Sequence, residues 1–143
     1  MHVPNLERYC FGFIKNGKSI YSGWHDGKIC SFIPQSGKLI FCINEAHTND
    51  VTAIITTSEI NKIISKGMNG EIRVLRIPTY AQKMEASLKE HRSRVWNIII
   101  NSRTDRVISA SDDGSCIELD INNYTRVACM FDTTMFKQLI YYF

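Results

Sequence analysis

Histidine, serine and an acidic or amide residue recur together along the chain, and these residue types can form a hydrolytic triad. The two sets are His47, Ser65 and Asn69, then His91, Ser109 or Ser111, and Asp113. In such a triad the imidazole removes the proton from the serine hydroxyl, and a carboxylate orients the imidazole. Nucleophilic hydrolysis is therefore the first chemistry that these residues suggest.

The spacing of the two sets argues against catalysis. His47 and His91 are 44 residues apart, and the other members repeat in step with them. A protein does not need a catalytic site in every repeat, whereas a buried polar network that fixes each repeat unit must be complete each time. We therefore interpret both sets as structural and predict that the protein is not an enzyme and has no catalytic residues.

Turn signals repeat with the same period. Asp26-Gly27, Asn69-Gly70 and Asp113-Gly114 place their glycines 43 and 44 residues apart. This period matches the roughly 40–45 residues of a WD repeat, whose unit is one four-stranded propeller blade. An Asx-Gly pair suits a type I′ hairpin turn, because both central residues of that turn need positive φ.

Short apolar segments bounded by turns divide each period into four strands, which predicts an all-β fold of WD40-type β-propeller blades. The predicted strands are Tyr9–Ile14, Ser19–Ser22, Lys28–Phe32, Leu39–Ile43, Val51–Thr56, Lys62–Ser65, Glu71–Leu75, Met84–Leu88, Val95–Ile100, Arg106–Ala110, Cys116–Leu119 and Arg126–Phe131. The blades span residues 1–44, 45–88 and 89–132, and 133–143 begins a fourth with the strand Phe136–Phe143. The 81–91 segment also has helical spacing, but the repeat phase favours a strand.

Each blade has positions for a structural network. A histidine precedes the first strand, a serine lies on the second, and an acidic or amide residue lies in the turn before the third, where Asp26 takes that role in the first blade. A tryptophan often completes this network on the third strand, but here that position holds Phe32, Leu75 or Leu119. No blade is therefore expected to have the complete set of four.

Metal and cofactor sites are not predicted. The four histidines are far apart and lack cysteine or acidic partners at ligand spacing. The five cysteines form no CxxC pair, and we interpret them as reduced thiols in the core of a cytosolic protein. The glycines occupy turns, so no loop is available to bind the phosphates of a nucleotide, and no small-molecule substrate is predicted.

Trp24, Trp96, Arg92 and Arg94 are the candidate contacts with a partner protein, since exposed tryptophan and arginine dominate interface energies. A basic cluster at first suggests nucleic-acid binding, and its members are Lys89, Arg92, Arg94, Arg103 and Arg106. In a propeller, however, the loop of Arg92 and Arg94 opens on one face, and the loop of Arg103 and Arg106 opens on the other. The basic cluster is therefore divided, and we do not predict nucleic-acid binding.

Composition sets the remaining limits. The 143 residues are 44% hydrophobic and 22% charged, which is sufficient for a packed core and excludes a disordered or fibrous chain. The net charge of +3 favours acidic partners only weakly. No apolar run approaches the roughly 18 residues of a membrane span, so no membrane association is predicted.

Beyond the blade pattern, the sequence resembles the family of the WD-repeat cilia- and flagella-associated protein 52, whose members have two propellers. The similar stretches are Asp26-Gly27-Lys28-Ile29, Ala46-His47, Val51-Thr52-Ala53-Ile54, Thr56-Thr57-Ser58, Gly70-Glu71-Ile72-Arg73-Val74, Leu88-Lys89-Glu90-His91 and Asp113-Gly114-Ser115-Cys116-Ile117. The resemblance implies a structural role inside the doublet microtubules of motile cilia. Tubulin and neighbouring axonemal proteins would be the partners, and the cytoskeleton of the cytoplasm and the ciliary or flagellar axoneme the location.

The alternative to a ciliary scaffold is a WD40 adaptor or assembly subunit of another cytosolic multiprotein complex. About three blades and one strand of a fourth also make an incomplete propeller, since propellers close with typically 4–8 blades. We expect such a chain to need further blades, either from a longer protein or from a second chain.

Overall fold

The computed structural model describes residues 8–13, 18–57, 59, 61–77 and 84–131, with the first of these ranges described by its backbone alone. The predicted fourth unit, 133–143, lies outside these residues. No helix long and apolar enough to span a membrane occurs in the part of the chain that is described.

Within these residues, twelve strands form three sheets, each with four antiparallel strands in sequence order. The first sheet contains β1 (Arg8–Phe13), β2 (Ile20–Trp24), β3 (Ile29–Phe32) and β4 (Leu39–Ile43). The second contains β5 (Val51–Thr56), β6 (Lys62–Gly67), β7 (Ile72–Arg76) and β8 (Met84–Leu88). The third contains β9 (Val95–Asn101), β10 (Arg106–Ser111), β11 (Cys116–Asp120) and β12 (Thr125–Met130). The all-β prediction is confirmed, and the ambiguous segment at 81–91 contains the strand β8, as the repeat phase predicts.

The sheets pack side by side through their first strands, because β5 contacts both β1 and β9. The side chains of the middle sheet point alternately to its two faces, and both faces are apolar, which explains this arrangement. Ile63 and Leu75 join the apolar cluster shared with the first sheet, while their neighbours Ile64 and Val74 join the cluster shared with the third. Successive residues of a strand point to opposite faces. The second blade is therefore buried on both faces, as in a radial stack of blades.

The hairpin turns differ from the type I′ prediction. Only the glycine of each Asx-Gly pair has positive φ: 80° at Gly27, 83° at Gly70 and 81° at Gly114. In the first turn Gly27 N donates to Trp24 O, and Trp24 N donates to Lys28 O. This is a three-residue loop in which a type I turn is followed by a left-handed glycine. The prediction of two residues with positive φ in each turn is wrong.

The cysteines also differ from the prediction. Cys30 and Cys42 form a disulfide bond, so the interpretation of all five as reduced thiols is wrong. The register of β3 and β4 places these two residues directly opposite each other. Their separation of 12 residues gave no sign of this pairing. Cys116 and Cys129 are free thiols, and burial raises the pKa of Cys116.

Candidate functional site

The predicted polar residues of the third blade come together where the loop before β9 meets the β10–β11 turn. His91 Nε2 lies 2.8 Å from Ser109 Oγ, and His91 Nδ1 lies 3.3 Å from Asp113 Oδ2. A second hydrogen bond joins the loop before β9 to the β10–β11 turn, because Arg92 N donates to Asp113 Oδ2 over 2.9 Å. Histidine, serine and aspartate thus connect the loop, the second strand and the turn of one blade.

The two candidate serines of this blade have different positions. Ser109 contacts the histidine, whereas Ser111 Oγ donates to the carbonyl oxygens of Ser93 and Arg94 over 3.1 and 2.9 Å. A further residue, Ser115, lies 3.0 Å from His91 Nδ1 and donates to Asp113 Oδ1. Sequence reasoning missed Ser115, although its place directly after the Asp-Gly pair made it a candidate for contact with the aspartate.

The second blade has a smaller network. His47 Nε2 lies 2.8 Å from Ser65 Oγ, which matches the third blade. Asn69 does not bond to the histidine. Its side-chain oxygen accepts from Glu71 N over 3.2 Å, and its amide nitrogen lies near Thr48 and Glu71. Among the described residues, His47 Nδ1 has no hydrogen-bond partner.

Asp26, the predicted equivalent in the first blade, interacts with Lys28. The lysine ammonium lies 2.6 Å from Asp26 Oδ2, and Lys28 N donates to Asp26 Oδ1 over 3.3 Å. Asp26 therefore stabilises its own turn, and the structure brings no histidine to it within the residues it describes.

Burial determines the charge state of both histidines. It lowers the pKa of His47 to about 4, and the nearby charge of Arg73 acts in the same direction. Burial also lowers the pKa of His91, although the Asp113 carboxylate opposes that shift. For Asp113, burial acts to raise the pKa, but hydrogen bonds from Ser115 and Arg92 N outweigh it and hold the value at about 2. At neutral pH the network of the third blade thus pairs a neutral imidazole with a carboxylate.

This geometry does not suit nucleophilic catalysis. Ser65 and Ser109 both have 0% exposure, so a substrate has no path to either hydroxyl. Ser109 Oγ also donates to the carbonyl of Ile117, 3.3 Å away on the neighbouring strand. A nucleophile must reach the reacting atom of its substrate. The arrangement instead satisfies buried polar groups of the fold.

Contacts between blades use the same loops. His47 N donates to Gly27 O over 2.9 Å, which joins the loop of the second blade to the turn of the first. A Cβ at Gly27 would lie 1.9 Å from His47 O, and one at Gly70 would lie 2.6 Å from His91 O. Gly27 and Gly70 therefore lie directly against the histidine loop of the following blade.

Two buried charged residues were not predicted from the sequence. Lys66 is 1% exposed, and its ammonium donates to Val95 O over 2.6 Å, from the second blade to the third. Glu71, buried beside Arg73 and Ser87, binds both of them, and Arg73 donates to the carbonyl of Ala46 over 2.6 Å. These contacts hold the loop before β5 against β7. Neither residue occupies one of the recurring positions of the blade pattern, so their burial is seen only in the folded structure.

Three of the four candidate partner contacts lie together. Arg92 and Arg94 line a cavity of about 510 Å³ that is open to solvent, together with Met68, Asn69, Ser93 and Asp112. Trp96 is 56% exposed, its ring centroid lies 5.1 Å from the Arg94 guanidinium, and its Nε1 donates to Asp112. Trp24, in contrast, lies in the first blade, is partly buried and donates to Ser22 Oγ over 2.9 Å.

The remaining basic candidates lie elsewhere. Arg103 follows β9, whereas Arg92 and Arg94 precede it, so the seven-residue strand separates them. Arg106 pairs with Glu118 at 3.3 Å. In the part of the chain that the structure describes, no group of three His, Cys, Asp or Glu residues is placed to hold a metal ion.

Sheet order, turn geometry and the His-Ser networks together define a set of WD-repeat propeller blades. Solved structures agree: the WD40 repeats of RRP9 and the structure of U3-55K each superpose with a TM-score of 0.82. Both cover 91% of this chain, at 19% and 18% sequence identity, and this chain covers 40% and 41% of theirs. These likenesses show the fold alone. No protein-family model matches the chain.

Sequence relatives are more specific. Cilia- and flagella-associated protein 52 of Chlamydomonas reinhardtii is 47% identical over 140 residues, and the mouse and human proteins of that name are 42% and 41% identical. The match covers 98% of this chain and 23% of each relative. Along almost its whole length the chain is therefore similar to cilia- and flagella-associated protein 52, and it spans about a quarter of the length of these relatives.

Proposed function

We propose that this chain is part of a non-catalytic WD-repeat scaffold in the axoneme of cilia and flagella. The observation that carries the proposal is the similarity to proteins named for cilia and flagella, which extends over 98% of the chain. Association with the axoneme, a cytoskeletal structure, follows from those names. The buried hydroxyls of Ser65 and Ser109 support a role without chemistry.

Within the axoneme, we propose that the scaffold lies inside the doublet microtubule and contacts tubulin and neighbouring proteins. The cavity between the second and third blades supports this proposal. Arg92 and Arg94 line the cavity, and together with the exposed Trp96 they form a basic surface that includes an aromatic side chain. Tubulin has an acidic surface, so such loops would be attracted to it over a distance set by the ionic strength.

Pelleting with microtubules tests this contact. The 143-residue chain is expected to sediment with microtubules at low salt and to be released at high salt, since salt screens attraction between exposed charges. Sedimentation without microtubules is the control for aggregation. If the chain remains in the supernatant at low salt as well, direct contact with tubulin is contradicted, and a neighbouring axonemal protein becomes the candidate partner.

A further inference from the structure

The cavity between the second and third blades has a charge that the protein itself does not neutralise. Arg92 and Arg94 both line it, and within the described ranges neither guanidinium forms an ion pair. Among the described residues that line it, Asp112 has the one carboxylate, and that carboxylate accepts a hydrogen bond from Trp96 Nε1. The cavity thus presents two cationic groups to solvent.

The backbone that carries these arginines is held in place. Arg92 N donates to Asp113, Asp112 N donates to the Arg94 carbonyl over 2.9 Å, and Ser111 Oγ donates to that same carbonyl. The loop is thus bonded on both sides of Ser93. A loop fixed in this way loses little conformational freedom when it binds, and this preorganisation favours affinity.

Apolar surface lies beside the charged groups. Met68 on the cavity lining is 39% exposed, and Trp96, stacked with Arg94, is 56% exposed. A ligand that fits this surface needs carboxylates for the guanidiniums and an apolar side chain for Met68 and Trp96. Arginine and tryptophan are also the residue types that contribute most to binding energy at protein interfaces.

We propose that this cavity is a docking site for an acidic segment of a partner protein, in which glutamate or aspartate side chains flank an apolar residue. The carboxylates bind Arg92 and Arg94 by charge-assisted hydrogen bonds, and the apolar residue packs on Met68 and Trp96. This inference rests on the proposed scaffold function and specifies the surface and the chemistry of one partner contact.

Fluorescence anisotropy with a synthetic peptide tests the proposal. The probe is a short labelled peptide of glutamates around a central leucine, and its comparison is the same peptide with glutamines. The full chain is expected to bind the glutamate peptide at least about ten-fold more tightly, which corresponds to one charge-assisted hydrogen bond. Arg92→Gln and Arg94→Gln should each weaken binding by about ten-fold, while Arg103→Gln, which removes an exposed arginine beyond the far end of β9, should not.

A variant in which both arginines are replaced by glutamate provides a second test of the proposal. Arg92→Glu combined with Arg94→Glu should lose the glutamate peptide and bind the corresponding lysine peptide, with the circular dichroism spectrum of the parent chain. Equal binding of the glutamate and glutamine peptides, no binding of either, or an equal effect of Arg103→Gln overturns the proposal. The peptide is synthetic, so such a failure leaves the axonemal function untouched, and an absence from cilia leaves this docking site untouched.

Discussion

Gly27→Ala is expected to remove on the order of 4 kcal/mol or more of the unfolding free energy, which is a large fraction of the roughly 5–15 kcal/mol of an ordinary domain. Two costs add. The residue has φ of 80°, where a side chain costs about 1–2 kcal/mol. The new Cβ would also lie 1.9 Å from the carbonyl oxygen of His47, a backbone atom of the next blade that cannot rotate away.

Gly114→Ala is the matched control for this prediction. Gly114 has nearly the same φ, 81°, but no described atom lies within 4 Å of its Cβ position. This variant should lose only the conformational cost of about 1–2 kcal/mol. Urea unfolding of the parent and both variants measures the difference. Equal losses for Gly27→Ala and Gly114→Ala would mean that the turn glycine does not seat the following loop.

Acid is expected to destabilise the protein in two steps, and the histidines cause the first. Burial lowers the pKa of His47 from 6.5 in the unfolded chain to about 4 in the folded chain. Between these values the unfolded chain binds a proton that the folded chain does not, so stability falls as the pH falls from 6.5 towards 4. The loss is on the order of 3 kcal/mol at about 1.4 kcal/mol per pKa unit. His91, whose pKa is also lowered by burial, adds to the loss.

The second step comes from carboxylates. Burial acts to raise the pKa of both Asp113 and Glu85, but hydrogen bonds outweigh it and lower the pKa of Asp113 from 3.8 to about 2. Hydrogen bonds and the nearby Lys62 ammonium lower the pKa of Glu85 from 4.5 to about 2. Their stabilisation is present above pH 4.5 and is lost as the pH falls towards 2. Urea midpoints measured across this range give the profile. His47→Gln should reduce the slope between pH 6.5 and 4; an unchanged slope would contradict the assignment to this buried histidine.

Much of the fold could be predicted because periodicity and turn residues are local properties. Leu39–Ile43, Val51–Thr56 and Met84–Leu88 have the predicted bounds, and most other strands differ by one or two residues at an end. For Met84–Leu88, the spacing of its apolar residues also fits a helix, and only the 44-residue repeat favoured a strand. The His47–Ser65 and His91–Ser109 contacts follow from the same register.

The remaining features depend on contacts between elements. The Cys30–Cys42 pairing needs the register of β3 and β4, and the burial of Lys66 needs the position of the third blade. The turns were predicted incorrectly because Asx-Gly fits two hairpin types, and sequence alone does not determine the φ of the Asx residue. Asn69 resembles Asp113 in sequence position, and each accepts a hydrogen bond from the backbone N two residues further on. Asp113 has a second carboxylate oxygen that reaches His91 Nδ1 and Arg92 N, whereas Asn69 has an amide nitrogen in that place.

The central claim is that this chain is part of an axonemal scaffold, and its location after detergent extraction tests that claim most directly. A tagged version of the chain is expressed in ciliated cells, the membranes are removed with detergent, and the tag is measured in axonemal and soluble fractions. We predict that the tag remains on the axoneme along the cilium after extraction. A diffuse cytosolic signal that detergent releases completely would contradict the claim and would favour a WD40 adaptor of another complex.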